Sequence, residues 1–294
     1  MRRTLRRRIM SMTSKQYWGF AERSFRDAST DLVLPIDHGI VGMPVGAQFT
    51  GVSAVGPILA LAAYNQPAVC LATWTISGGL LTLREEKVSG VIYTRRVRGE
   101  LVPKRRRMFR DFPYPADANR MSAAVMRSDR ELGLIRGTER AIHWIEKGDD
   151  GLWHFKKRDV LPASGYELIH SAVLLDTDHL WTIEGRRGFA EAALCKYHRN
   201  MCTETTSMEP HMFGIAVRKS DNAVLTVTDH PFRGERGIYV NGVLKVPGVI
   251  GHGVALLDDG AAGAIVVYYG ESNPAPFYGT PGAIIYVPPD LLAP

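Results

Sequence analysis

Residues 172–185, AVLLDTDHLWTIEG, read as two short strands joined by an Asp-rich turn, and the chain repeats the unit. Gapless copies stand at 124–137 (AVMRSDRELGLIRG) and 216–229 (AVRKSDNAVLTVTD). Looser copies begin at Ala255 (ALLDDGAAGAIVV) and at Val69 (VCLATWTISGGLLTL). The starts at 69, 124, 172, 216 and 255 are 39 to 55 residues apart, the length of one four-stranded propeller blade and too long for a sandwich hairpin. Units that bury their faces only against their neighbours form one cooperative array.

The pattern predicts an all-β chain, a β-propeller of five four-stranded blades, with six as the alternative. Residues 31–294 are expected to form a single propeller domain, and residues 1–30 a basic arm or short helix. Blade one is expected over 67–110, blade two over 121–162, blade three over 167–205, blade four over 210–248 and blade five over 251–290. Within blade four, Val240-Asn241-Gly242-Val243 is a strong two-residue hairpin signal. Residues 46–66 are the least repeat-like part of the body. Ring closure falls to a strand at 31–36, unless 14–66 make a degenerate sixth blade.

Charge is segregated. Arg2, Arg3, Arg6, Arg7 and Arg8 crowd the first ten residues, and residues 95–110 carry eight basic side chains against Glu100. The rest of the chain holds 23 basic and 29 acidic residues, so an acidic body bears a basic arm and a basic patch. Lys104, Arg105, Arg106 and Arg107 are too densely charged for a buried strand and are expected on an outer edge, where charge also blocks unwanted strand pairing. Together, arm and patch would suit an acidic protein chain or another polyanion; nucleic acid is the less favoured occupant. No apolar run reaches the roughly 20 residues of a membrane helix. The N-terminus has a basic opening without the apolar stretch of an export signal, and its Arg-rich, acid-poor character also fits an organellar transit peptide. A cytoplasmic or virion-associated location is the expectation. Three scattered cysteines, Cys70, Cys195 and Cys202, form no disulfide framework.

In a propeller the first strand of each blade lines a central channel. Aligning those strands by their flanking residues puts His170 over His252, with Phe213 and Ser122 in the same column and His38 as a third histidine candidate. Imidazoles at one level of neighbouring strands suit acid–base work or ligand binding. Aligning by the hairpin turns instead is one residue out of step, and one residue reverses the face of every side chain. Trp181 belongs to the aromatic supply that could form a platform at the channel mouth, although large rings equally fill the wedge between blades. Cys195, His198 and Cys202 are weak metal candidates: the residue types suit zinc, but 195 and 198 on one strand point to opposite faces. No metal and no cofactor is expected. Asp37, Asp176, Asp178, Asp221, Asp229, Asp258 and Asp259 all stand at expected turns, where aspartates bond their own backbone.

The hairpin LLDTDHLWTIEG resembles, at the level of fold, the blades of sialidase-like, sugar-handling propellers and of propeller modules in phage tails. The diagnostic SxDxGxTW box and the arginine triad of sialidases are absent, so no catalytic residue is carried over from the resemblance. Two functions are expected from these features. The first is a non-catalytic binding or assembly module, a subunit of a larger assembly of the virion or tail kind or a homo-oligomer, docked through its arm and patch. The second is a carbohydrate-binding or glycan-cleaving propeller acting at the channel mouth.

Overall fold

The computed structural model describes residues 31–35, 40–42, 49–63, 69–77, 80–86, 91–97, 100–106, 122–136, 139–151, 153–186, 191–209, 211–228, 237–247, 249, 251–268 and 283–293. Two short strands come first, β1 (Asp31–Pro35) and β2 (Ile40–Gly42). Blade one follows as β3 (Phe49–Val55), β4 (Ile58–Ala63), β5 (Val69–Ser77) and β6 (Leu80–Glu86). The hairpin of β7 (Val91–Val97) and β8 (Glu100–Arg106) precedes blade two, which runs β9 (Ala123–Ser128), β10 (Glu131–Arg136), β11 (Ala141–Lys147) and β12 (Trp153–Val160). Blade three is β13 (Leu168–Leu174), β14 (His179–Gly185), β15 (Ala192–His198) and β16 (Met201–Met208). Blade four is β17 (Met212–Arg218), β18 (Ala223–Thr228), β19 (Gly237–Val240) and β20 (Val243–Pro247). Blade five adds β21 (Gly253–Leu256), β22 (Ala264–Tyr268) and β23 (Ala283–Val287).

Five antiparallel meanders therefore surround an axis, as the hairpin period predicts. The innermost strands β3, β9, β13, β17 and β21 touch in that order, and β21 returns to β3, which closes the ring. Each hydrophobic cluster lies between two blades. Ala60, Ala62 and Leu71 of blade one pack with Leu132, Ile145 and Trp153 of blade two, and Leu225 and Ile238 of blade four with Val266 and Ile285 of blade five. Trp153 is a core residue of the wedge between blades one and two, and Trp144 of the wedge between blades two and three. The Asn241-Gly242 turn takes positive φ at both positions, 50° and 80°, the conformation a two-residue hairpin requires.

Blade one corrects the reading of the sequence. The hairpin at Val69 supplies its third and fourth strands, and residues 49–63, read as least repeat-like, supply the two innermost. Their run of glycine and alanine has weak strand propensity, yet small residues are what a crowded axis admits. The hairpin β7–β8 instead extends blade two: β7 pairs parallel to β12 through Trp153↔Val91 and His154↔Ile92, leaving β8 outermost of six strands. Closure is corrected too. The strand at 31–35 pairs with β6 on the rim of blade one, and it is β2 that completes blade five by pairing with β23.

Candidate functional site

All five innermost strands begin at one end of the channel and turn back at the other. At the beginning of three of them the ladder slips by one residue, between Phe49 and Gly51, Ile169 and Ser171, and Met212 and Gly214. Thr50, His170 and Phe213 are the residues added by these bulges. Each stands just before a small residue that meets the next strand. A Cβ on Gly51 would lie 2.7 Å from Ala123 Cα, one on Gly253 2.9 Å from Gly51 Cα, and one on Gly214 3.1 Å from Gly253 Cα. Only glycine allows backbones this close. Thr50, Ser122, His170, Phe213 and His252 thus form one level of the ring, directly before Gly51, Ala123, Ser171, Gly214 and Gly253.

The structure brings together part of the expected histidine column. Phe213 touches both histidines, with ring centroids 4.5 Å from His170 and 5.0 Å from His252. Phe213 and His252 are buried and His170 half-buried. Blade one contributes Thr50 at this level; His38 lies outside the described residues. Spatial register follows the histidines rather than the turns. Ser171 Oγ accepts a bond from Ile215 N at 3.4 Å and Ser53 Oγ one from Met126 N at 3.0 Å, the same one-residue stagger between neighbours. The turns fall out of step because the hairpin from Ser171 to its partner Ile183 is one residue shorter than the hairpin from Gly214 to its partner Val227.

At the opposite end the hairpin turns enclose a cavity of about 560 Å³. Val52, Ala172, Ile215 and Val254 give it an apolar floor, and Arg127, Asp176, Lys219, Asp258 and Asp259 reach it from four blades. Most of these charged groups already hold the protein together. Asp176 accepts the backbone N–H groups of Asp178 and His179, both at 2.8 Å, and these bonds with the His179 ring hold its carboxyl below the ordinary range. Asp259 accepts the backbone N–H groups of Lys219 and Ser220 at 2.6 and 2.8 Å, tying blade five to blade four. Asp221 receives two bonds from Arg218, at 2.8 and 2.7 Å, and these with the Ala223 N–H bring its pKa down to about 2. Arg127 pairs with Glu131 at 2.8 Å and lies 4.2 Å over the Trp144 ring. Asp37 and Asp229 lie outside the described residues.

Sequence reasoning missed a buried network between blades two and three. The Glu184 carboxylate, fully buried, takes Arg140 at 2.7 and 3.2 Å, Tyr197 Oη–H at 2.7 Å, Thr182 Oγ1–H at 2.8 Å and Ser164 Oγ–H. Arg140 also donates to the carbonyls of Tyr166 and Pro162. Burial acts against the Arg140 charge, but the bonds and charge of Glu184 outweigh it and the guanidinium pKa is raised. Burial first and then Glu184 push the Tyr197 hydroxyl up. One signal existed: a carboxylate, Glu184, closing a strand whose Leu180, Trp181 and Ile183 are apolar.

The remaining candidates disperse. Trp181 is half-buried against the cluster between blades three and four, with Lys196 Nζ 4.7 Å above its ring. Cys195 is buried, and desolvation with the charge of Glu184 raises its thiol pKa to about 12. Cys202 opposes Tyr197 across the strand pair, whereas His198 faces the other side and stacks on His179. The structure therefore does not join Cys195, His198 and Cys202. Among the described residues no group of three His, Cys, Asp or Glu side chains is placed to hold a metal, and no helix is long and apolar enough to cross a membrane. Arg2, Arg3, Arg6, Arg7, Arg8 and Arg107 lie outside the described residues, while Lys104, Arg105 and Arg106 occupy the end of β8.

No known family and no curated protein matches this sequence. Among solved structures, the fold is similar to the RRP9 WD40 repeats, at 10% identity over 86% of this chain and 98% of that one, with a TM-score of 0.46. It is also similar to virginiamycin B lyase from Staphylococcus aureus, at 12% identity over 81% and 67% of the two chains and a TM-score of 0.36. Myxococcus xanthus glutaminyl cyclase gives 9% identity, 85% and 96% coverage and a TM-score of 0.44. The likeness is one of fold.

Proposed function

We propose that this propeller is a binding and assembly module for protein chains, docking through its perimeter rather than performing chemistry in its channel. The observation that carries the reading is the place of the basic run. Lys104, Arg105 and Arg106 close the strand farthest from the axis in the six-stranded sheet of blade two. Blade two is thereby extended outward by a basic hairpin, on a chain whose remaining residues carry a net acidic charge. Opposite potentials steer two surfaces together and set their register. Supporting it, Asp176 and Asp259 at the channel mouth spend their oxygens on backbone N–H groups, which makes them builders of the rim. The acidic body of a second copy, or an acidic partner within a larger assembly of the virion kind, is the complementary surface.

Sedimentation of the full chain at about 50 and 500 mM salt tests this, since screening shortens the reach of surface charge from roughly 14 Å to under 5 Å. Self-association at low salt that is lost at high salt, on deleting residues 1–12, and in the K104E/R105E/R106E variant is the expected result. A mass that none of the three changes overturns the reading.

A further inference from the structure

His179, His198 and Met201 stand in one line across three neighbouring strands of blade three. His179 on β14 is the register partner of His198 on β15, which is in turn the partner of Met201 on β16. Residues directly opposite one another share a face of the sheet, with Cβ atoms about 4.5–5.5 Å apart. The two imidazoles stack, their centroids 4.7 Å apart and their planes 9° from parallel. His179 Nδ1 lies 2.8 and 2.9 Å from the two carboxylate oxygens of Asp176. A carboxylate in that place keeps the proton on Nδ1 and leaves the Nε2 lone pair outward, which is how proteins orient metal-binding histidines. His198 is half-buried, and Met201 is 65% exposed, so its thioether is free to swing. Arg199, next to His198 in the chain, is matched by Asp178 at 3.2 Å.

We propose that His179 and His198, with the Met201 thioether beside them, form a surface site for a borderline-to-soft transition-metal ion, copper ahead of zinc. Two imidazoles suit copper, nickel and zinc alike; a thioether neighbour selects copper, and copper(II) heads the affinity order of the divalent first-row ions. The two ring planes lie 9° from parallel, so chelation requires the His198 ring to turn until its lone pair converges with that of His179, which Asp176 holds as the fixed arm. Asp176 is a positioning residue, and because it also lines the turn-side cavity the ion would sit on the rim of the channel. The site shares only His198 with the Cys195, His198 and Cys202 pattern of the sequence, since strand alternation sends the two cysteines to the other face.

The test is titration of the metal-free full chain with Cu²⁺ against glycine as competing ligand, followed by electron paramagnetic resonance and tryptophan fluorescence. One ion per chain is expected, with hyperfine coupling to two imidazole nitrogens, and His179→Ala or His198→Ala should each weaken binding by about tenfold or more. His179→Gln and His198→Gln keep the side-chain size, and melting curves verify that each variant is folded. Zn²⁺ should bind more weakly than Cu²⁺. A double variant H179A/H198A that binds Cu²⁺ as tightly as the native chain overturns the site. A Cu⁺ affinity indifferent to Met201→Ala overturns the part given to the thioether.

Discussion

Phe213 and His252 meet edge to face at 5.0 Å, one blade apart, at the level where the five innermost strands begin. Phe213 is 4% exposed and touches His170 on its other side, so it joins blades three, four and five through one ring. Phe213→Ala leaves a cavity at this junction and should destabilise the protein by about 3–5 kcal/mol. Chemical denaturation measures it; a loss under about 1 kcal/mol would show that the junction collapses without penalty.

Gly51 and Gly253 set the spacing of blades one and five. A methyl on Gly253 would sit 2.9 Å from both Gly51 Cα and Val52 N, and backbone atoms cannot swing aside. Gly253→Ala and Gly51→Ala should each destabilise by about 1–3 kcal/mol. Because either change moves neighbouring strands, the double variant should lose less than the sum of the two, read from denaturant midpoints.

Removing one member of the buried Arg140–Glu184 pair leaves a charge without its partner. Glu184→Gln or Arg140→Met should cost about 3–5 kcal/mol. The double replacement R140M/E184L should lose less than the two single losses added. Strict additivity in thermal melts would show the pair to be uncoupled.

Acid sensitivity should run through Asp221. Its pKa is depressed to about 2 by Arg218 and the Ala223 N–H, against roughly 3.9 for an unfolded aspartate. The sign follows: the folded state binds this proton less readily, so the stabilisation is complete above the unfolded value and disappears as pH falls through about 2. Melting temperatures of the Asp221→Asn variant should fall less steeply between about pH 4 and 2 than those of the native chain. Parallel acid limbs would contradict this.

Thiol chemistry should separate Cys195 from Cys202. Burial and the nearby Glu184 carboxylate hold Cys195 as the protonated thiol at neutral pH, with a pKa near about 12, and the thiolate is the reactive form. Cys202 is half-buried at the edge strand. Peptide mapping after brief iodoacetamide treatment at pH near 8.5 should find Cys202 labelled and Cys195 intact, labelling following thiolate content and access.

The repeated hairpin determined the all-β class and pointed to five blades with six left open, because a unit that cannot bury its own face must be copied around an axis. The residues flanking the first strands, and not the hairpin turns, put Ser122, His170, Phe213 and His252 in one column, whereas Thr50 of blade one joined them only in the tertiary structure. What only the tertiary structure decided is where strands belong when their local signal is ambiguous. Residues 49–63 carry no copy of the repeated hairpin, yet their first strand, β3, lines the channel, where Gly51 lets the backbone of Ala123 come close. The β7–β8 hairpin has the composition of a blade and lies outside one, because its edge finds β12 rather than β6. Glu184, Arg140 and Tyr197 are far apart in the chain, as are Asp176, His179 and His198 in part, and folding alone makes them neighbours. Alternation along a strand tells which face a side chain takes; it does not tell which strand will lie opposite.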